Sequence, residues 1–528
     1  MTTEQLIQTD GPTGDPTDAD FQISPAGMTH KARHAALDKL SAYYDRRAPR
    51  AMGYQVRQGL SEAQTLGRFL RHHINNAGDP FVDGRFTVHS RWLERAVLDY
   101  YARLWHASIP ADRSNASDED YWGYVLSMGS TEGNLYALWN ARDYLDGNAL
   151  VGDRITIGDG EVSRTTYTRA SHPDDGPNAY TPVAFFSQDT HYSHLKGMNV
   201  LDIAAFYDMG ADRYPGECPL TSPGTQTVAG WPVGVPSTGG DDGPGTIDID
   251  ALAALVDFFA AKGHPILVCF NVGSTFKGAC DDVEGACARL RPIFEKHDLV
   301  RRKVHYDPAD PNVYDIRDGY WIHVDAALGG AYLPYVEKAH DLGQHPWRPP
   351  VFDFRVPEVA SIVTSGHKYP GAPFPTGVYL SKIGRQISPP NDPAVIASPD
   401  TTFAGSRSGL AAIAMWNHLA RRSEVDHITE IVSALRLADY AADRLRDLGP
   451  HLEVGHTPNS LSVWFRQPAE QVVDAYCLAC VPLNVNGVQR DFSHIYLMPH
   501  VTQQVIDEFV AALKADGYPA GAAGRKCV

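Results

Sequence analysis

The chain has 528 residues, with a hydrophobic share of 43%, an aromatic share of 10% and a charged share of 21%. That is the composition of a globular protein too long for one simple core. A formal net charge of −17 argues against nucleic acid or an anionic membrane as the main partner. Seven cysteines without a repeating spacing, and no apolar run of the ~20 residues that span a bilayer, exclude a disulfide scaffold and a helical membrane protein; reduced thiols in the cytoplasm fit best.

In chain order, residues 1–25 are polar and acidic. They are expected to be disordered and lack the pattern of a secretory signal. Residues 26–110 read as an N-terminal helical segment, because THKARHAALDKLSAYYDRRA and SRWLERAVLDYYARLWHA space apolar residues at three and four. Between them HHINNAGDPFVDG is a polar loop rich in turn residues.

From 111 to 409 short β-like runs alternate with helical ones. YWGYVLSM, AYTPVAFFS, PILVCFNV, GYWIHVDAA and ASIVTS are the strand candidates. Alternation of this kind predicts an α/β fold with a mostly parallel sheet and helices on both faces. Residues 214–246, crowded with Pro and Gly, read as a surface loop outside the core. Residues 410–528 read as a small α+β domain. It opens on one long helical run from 411 to 448 and continues through SLSVWFRQ, a helix near 469–480, HIYLMPHV and a final helix. Cys477 and Cys480 form a CxxC in that helix near 469–480, with no second pair; buried thiols are expected, not a redox or zinc site.

Six segments carry chemistry. In SGHKYPG, Lys368 follows Ser365 and His367 just beyond a strand; desolvation there lowers an amine pKa and favours imine formation. In WIHVDAALGG, Asp325 closes an apolar strand, where a carboxylate needs a partner. A protonated ring nitrogen, helix N–H groups and a metal all qualify. In SMGSTEGN, Gly129, Ser130 and Thr131 stand where a strand turns into a helix, an arrangement suited to a phosphate or to a plain N-cap. His191 in SQDTHYS, Ser274 and Thr275 in NVGST, and Gly405, Ser406 and Arg407 in AGSRSG complete the set. Each follows a strand candidate, and ligands of open α/β sheets bind beyond the carboxyl ends of strands.

Together these motifs resemble the group II decarboxylases that use pyridoxal 5'-phosphate (PLP), on the fold type I scaffold, and in particular the branch holding histidine, serine and valine decarboxylases. The likeness runs from about residue 70 to the C-terminus. It implies a large PLP-binding domain, a small C-terminal domain and a homodimer with shared active sites. By this likeness Lys368 is the Schiff-base lysine, Asp325 pairs with the pyridine nitrogen, Ala327 packs on the ring and His191 stacks on its other face. Ser130, Thr131, His367 and Ser365 lie at the cofactor, Ser274 or Thr275 contacts the ring hydroxyl or nearby groups, and Gly405 and Ser406 reach the phosphate across the dimer interface. Asn75, Asn76, Asp79 and Pro80 match a segment lining the substrate entrance. No metal is implied.

The implied reaction is decarboxylation of an L-amino acid to a primary amine, with a branched aliphatic (valine or leucine) or histidine side chain. Another PLP reaction (aldehyde synthase, aminotransferase or lyase) and a catalytically silent binding protein are the alternatives. One departure stands out. The branch often carries a tyrosine some ten residues before the GSR motif; residues 388–405 contain none, and Val395 lies near that place.

Overall fold

The computed structural model describes residues 14–60, 62–148, 170–171, 176–222, 226–310, 312–387 and 393–515. The chain divides into two compact units, one of Ser61–Thr429 and one joining Met1–Leu60 to Glu430–Val528.

The larger unit is built on a seven-stranded sheet: β1 (Tyr121–Leu126), β2 (Val183–Phe186), β3 (Ala204–Ala205), β4 (Ile266–Asn271), β5 (Tyr320–Asp325), β6 (Val359–Ser365) and β7 (Gly377–Lys382). Its order is β1-β7-β6-β5-β4-β2-β3. β7 pairs antiparallel with both neighbours, and the pairs from β6 through β3 are parallel. Strands β4, β5 and β6 are buried along their whole length, which is why they appear in sequence as near-continuous apolar runs and not as alternation. The register sets Asn271 beside Asp325 and Asp325 beside Val363, so the three strands end together at one edge. Two helices frame that edge: α1 (Ser130–Leu145) follows β1, and α2 (Ser193–Leu201) follows β2.

All five strand expectations fall on observed strands. β7 was not anticipated: GVYLSK follows the SGHKYPG loop with no helix between, so it breaks the alternation that identified the rest. The segment 214–246 is not wholly a surface loop. Trp231 and Val235 are fully buried; the Trp231 indole lies 5.3 Å and 5.4 Å, centroid to centroid, from Phe258 and Phe259. The Val235 N–H donates to the Phe186 carbonyl at the end of β2 (2.8 Å). Gly210 has to be glycine here, since a Cβ would run into the Trp231 ring. Residues 223–225 lie outside the described residues.

The smaller unit holds a four-stranded antiparallel sheet in the order Gly455–His456, Ser462–Arg466, Val488–Tyr496, Ala479–Val485. Ala438, Leu445, Val463, Phe465, Ile495 and Phe509 belong to its core. The N-terminal segment joins it through Met52, whose N–H donates to the Tyr476 carbonyl (3.1 Å) and whose carbonyl accepts from the Tyr496 N–H (2.6 Å). The unit thus draws on two distant stretches, and the helical segment 26–110 is divided between the two units near residue 60.

The run 411–448 is two helices, Gly409–Ala420 and Glu424–Arg446, and the two units divide inside the second, at Thr429/Glu430. Ser423 separates the two helices with a reciprocal cap. Its N–H and Oγ donate to Asp426 Oδ2 (2.8 and 2.7 Å), and the Asp426 N–H donates back to Ser423 Oγ (3.2 Å). The helix expected near 469–480 spans Glu470–Tyr476 and stops at Cys477, whose φ of 50° is left-handed; Cys480 belongs to the strand Ala479–Val485. The two thiols therefore share no helix face. Residues 14–25, expected to be disordered, include a 3-10 turn at Asp18–Phe21, and Lys39 holds Asp20 at 2.7 Å. Residues 1–13 lie outside the described residues. No helix among the described residues is long and apolar enough to cross a membrane.

Candidate active site

The strand ends and helix starts enclose a cavity of about 200 Å3. Lys368, His367 and Ser365 reach it from the end of β6, Asp325 and Ala327 from β5, Ser274 and Thr275 from the loop after β4, His191 from the loop after β2, and Ser130 and Thr131 from the start of α1. Ten positions picked from the sequence, from Ser130 to Lys368, thus line one cavity.

At one end, Gly129 turns β1 into α1 with φ +72°, and a Cβ there would lie 2.5 Å from His367 Cε1. Glycine is required both for that dihedral and for the approach of the imidazole. Beneath the turn, Glu132 Oε2 accepts from the Ser127 and Met128 N–H groups (2.8 and 2.9 Å). Ser365 Oγ accepts from the Ser130 N–H (3.1 Å) and donates to Ser130 Oγ (2.9 Å). The result is a hydroxyl-lined helix N-terminus of the kind that holds phosphate.

At the other end lie the amine and the carboxylate. Burial lowers the pKa of the Lys368 amine, and the nearby Asp325 charge partly opposes this; a lysine so placed spends more time neutral and nucleophilic. Burial alone would push the Asp325 carboxyl up. The hydrogen bond and charge of His194, with the Lys368 charge, more than reverse it, and the group is held far below the usual carboxylate range. Asp325 Oδ2 accepts from Asn134 Nδ2 (2.8 Å) and His194 Nε2 (3.2 Å), and Oδ1 accepts from the Ala327 N–H (3.0 Å). A carboxylate offers about four acceptor positions. One remains on a group that lines the cavity, where a protonated ring nitrogen can donate.

His191 is held through Nδ1, which accepts from the Ser193 N–H (3.3 Å) and lies 2.8 Å from Ser193 Oγ. An Nδ1 that accepts leaves the ring proton on Nε2. Burial, helped by Lys368, lowers the imidazole's pKa, so the neutral form prevails. The donor set therefore fits PLP: an amine to bind it, an anion for its ring nitrogen, an imidazole for its face and a phosphate cup.

The remaining expected residues lie outside this wall. Asn75 donates to Ser406 Oγ (3.1 Å) and accepts from the Arg407 N–H (3.0 Å). Asn76 is buried, donating to Glu94 and accepting from the Ser90 N–H (2.8 Å each). Asp79 accepts from Trp122 Nε1 (2.9 Å), Thr401 Oγ1 (2.6 Å) and the Phe81 N–H (2.7 Å). The Pro80 carbonyl accepts from Arg95 (2.7 Å). Asn75 and Asp79 tie this loop to residues 401–407, Asn76 and Pro80 tie it to the helix Arg91–Leu104, and Asn76 and Asp79 are engaged by the protein's own groups. Gly405 and Ser406 are exposed and do not line their own chain's cavity. Arg407 pairs with Glu94, both fully buried.

Asn271, Gly273, Met128 and Pro375 also line the cavity and were not singled out from sequence. Neither were Asn134, His194 and His323 behind Asp325. His323 and Asn134 stand inside the HVDAA and STEGN motifs, which was the available signal. His194 is three residues beyond His191 on a helical turn, with nothing in its neighbours to mark it.

Residues 241–387 match the model of the pyridoxal-dependent decarboxylase conserved domain. Crystal structures of L-methionine decarboxylase from Streptomyces sp. 590 superpose with a TM-score of 0.85 at 44% identity, covering 94% of this chain and 98% of that one. The chain belongs to the pyridoxal-dependent decarboxylases. Serine decarboxylase 1 of Oryza sativa subsp. japonica is 27% identical over 94% of this decarboxylase and 80% of its own length. Histidine decarboxylase of Pseudomonas entomophila is 28% identical over 89% and 88%. The decarboxylase has the α/β fold type I architecture that its motifs implied, uses PLP and acts on an amino acid. Glutamate decarboxylase of Lactobacillus brevis, at 17% identity and a TM-score of 0.59, shares the fold.

Proposed function

We propose that this enzyme decarboxylates L-methionine to carbon dioxide and 3-methylthiopropylamine. The observation that carries the reading is the 44% identity to L-methionine decarboxylase across nearly both full chains, against 27–28% for the serine and histidine enzymes. An amine of this structure is the ligand of one of those crystal structures. Methionine also suits the mouth of the cavity, where Met128 is 52% exposed and offers a soft apolar wall. This side chain is preferred to the valine, leucine or histidine expected from sequence.

PLP, joined to Lys368, supplies the electron sink for the departing carboxylate. The chain's residues do the rest. Asp325 keeps the ring nitrogen protonated, and Ala327 and His191 sandwich the ring. Ser130, Thr131, Ser365 and His367 hold the phosphate, and Ser274 or Thr275 orients the ring's edge. His191, with its proton on Nε2, would return a proton to Cα and regain one from solvent at the cavity mouth, in place of the tyrosine that the likeness implies near Val395, which is 83% exposed. A second copy completes the site with its own loop around Gly405 and Ser406, and Asn75, Asn76 and Asp79 shape the entrance by holding that loop, with Pro80 fixed beside them by Arg95. The dimer reading is supported by the helix His30–Arg47, none of whose residues is buried within the chain; Leu37 and Tyr44 stand more than half exposed.

Purified enzyme with PLP is to be offered each of the twenty amino acids, with amine and carbon dioxide measured. Methionine is expected to give equal amounts of both, at the highest kcat/KM. A preference for valine, leucine or histidine overturns the substrate; aldehyde and peroxide in place of amine overturn the proton return from His191. Lys368→Ala is expected to remove both the near-violet absorbance of the bound cofactor and turnover.

A further inference from the structure

Behind the cavity wall runs a chain of buried polar groups that the reaction as described does not use. Trp321 Nε1 donates to Ser361 Oγ (3.1 Å). Ser361 Oγ lies 2.8 Å from His323 Nδ1, and His323 Nε2 lies 2.9 Å from Asn134 Oδ1. Asn134 Nδ2 lies 2.8 Å from Asp325 Oδ2 and 3.4 Å from Ser193 Oγ, and Ser193 Oγ lies 2.8 Å from His191 Nδ1. Trp321, Ser361, His323, Asn134 and Ser193 are each no more than 2% exposed, so water does not stand in for a lost partner.

The directions are set from the Asp325 end: its ionised carboxylate only accepts, so Asn134 Nδ2 donates to it and Asn134 Oδ1 faces His323 Nε2 as an acceptor. Trp321 only donates, which leaves the Ser361 hydroxyl proton for His323 Nδ1. His323 then carries its own proton on Nε2 and gives it to Asn134 Oδ1. Burial holds His323 near pKa 3, so it takes no second proton at working pH. The Asn134 carbonyl is thereby committed, and its two amide protons point the other way. One meets Asp325, whose ionised carboxylate can only accept. The other meets Ser193 Oγ, which passes its hydroxyl proton to His191 Nδ1. The reversed amide would set its oxygen against the Asp325 carboxylate with no proton between them, a repulsive contact in a low-dielectric interior.

We infer that Asn134 is the positioning residue at the branch point of a one-way donor relay from Trp321 that sets the protonation of both groups gripping the cofactor: Asp325 as an ionised acceptor and His191 as the Nε2–H tautomer. His194 reinforces the first arm by donating to Asp325, and Ser193 alone carries the second. The inference rests on Asp325 and His191 facing the cofactor as proposed above.

The test compares Asn134→Asp, Ser193→Ala and His194→Leu. PLP affinity is read by titrating each apoenzyme, the acid limb of kcat with methionine, which covers the steps after carbon dioxide leaves, reports His191, and a thermal melt reports folding. His191 is also faced by Asp325, Lys368, His194 and Tyr192, which all three variants retain except for His194 in its own. Asn134→Asp keeps the shape but replaces a fixed two-proton donor with an acid that, beside Asp325, holds at most one proton. It is expected to weaken PLP binding about 10- to 100-fold, the worth of a hydrogen bond to a charged group, and to move the acid limb to higher pH. The limb moves because the new carboxylate captures the Ser193 hydroxyl, and an Nδ1 left with only the Ser193 backbone N–H takes a proton more easily. Ser193→Ala is expected to move the limb the same way while PLP affinity stays within about threefold. His194→Leu is expected to weaken PLP binding and move the limb less than Ser193→Ala does.

The branch is overturned if Asn134→Asp changes only one of the two properties, or if Ser193→Ala weakens PLP binding as much as Asn134→Asp. Should Asn134→Asp fail to fold, the other two variants decide: separate effects support two arms, and identical effects reject them. If Asp325→Asn binds PLP as tightly as the parent, the assignment of Asp325 itself falls, a result distinct from any of these.

Discussion

Two carboxyls lie fully buried at the ends of adjacent strands, and they treat their protons in opposite ways. Asp325 closes β5. Asp281 is bonded to the end of β4, its N–H donating to the Asn271 carbonyl (2.9 Å) and its carboxylate accepting from the Asn271 and Ile247 N–H groups (2.7 Å each). Burial pushes Asp281 up to about 7; the two backbone N–H groups pull it down only in part, and the neighbouring Asp189 pushes it further up. Asp325 suffers the same burial but has Asn134, His194 and Lys368 around it, and it stays ionised. Two backbone dipoles do not hold a buried anion. A side-chain donor set with a cation does.

The sharpest way to break this contrast is to neutralise each carboxyl in turn. Asp325→Asn is expected to cost about 2–5 kcal/mol of PLP binding, as for removal of one partner of a buried charged pair, and to abolish turnover. Asp281→Asn is expected to leave PLP affinity within about tenfold. Equal losses in the two titrations would erase the distinction.

His191→Gln comes next, with turnover expected to fall about 10²–10⁴-fold, the usual worth of a positioned proton donor, and PLP still bound. A fall of less than about threefold in single-turnover kinetics would remove His191 from the proton return.

The pH dependence of stability gives a smaller signal with a defined sign. A carboxyl whose folded pKa is raised, from 3.8 to about 7 for Asp281, binds more proton folded than unfolded. Its stabilising contribution is full at low pH and is lost as pH rises through that window. The melting temperature of Asp281→Asn, measured between pH 4 and 8, should therefore fall less with rising pH than the parent's. The smallest effect is expected from Asp189→Asn, which removes a like charge near Asp281 and should shift the parent's fall in stability to lower pH.

Ten of the cavity's lining residues were legible in the sequence because they follow apolar strands and sit in short motifs. The roles of Lys368, Asp325 and Ser130 came from the family likeness those motifs carry. The layer behind them was not legible. Asn134, Ser193 and Ser361 are small polar residues at ordinary helix and strand positions, and only the register of β5 against β6, with α1 and α2 laid over it, makes them neighbours. The single helical run expected over 411–448 is two helices for a local reason, since the Ser423–Asp426 cap is written in the sequence but lies inside a run of apolar periodicity that hides the break. Trp231 was lost among prolines and glycines, which mark irregular backbone without saying whether it is buried.

The Glu132 carboxylate beneath the β1–α1 turn has a consequence for how the enzyme is loaded. By gathering the N–H groups of Ser127 and Met128, it braces the anion-receiving bend from inside the protein. The bend keeps its contour without help from a guest. Vitamin capture then demands no refolding at that end, and the entropy surrendered on association belongs to the small molecule alone.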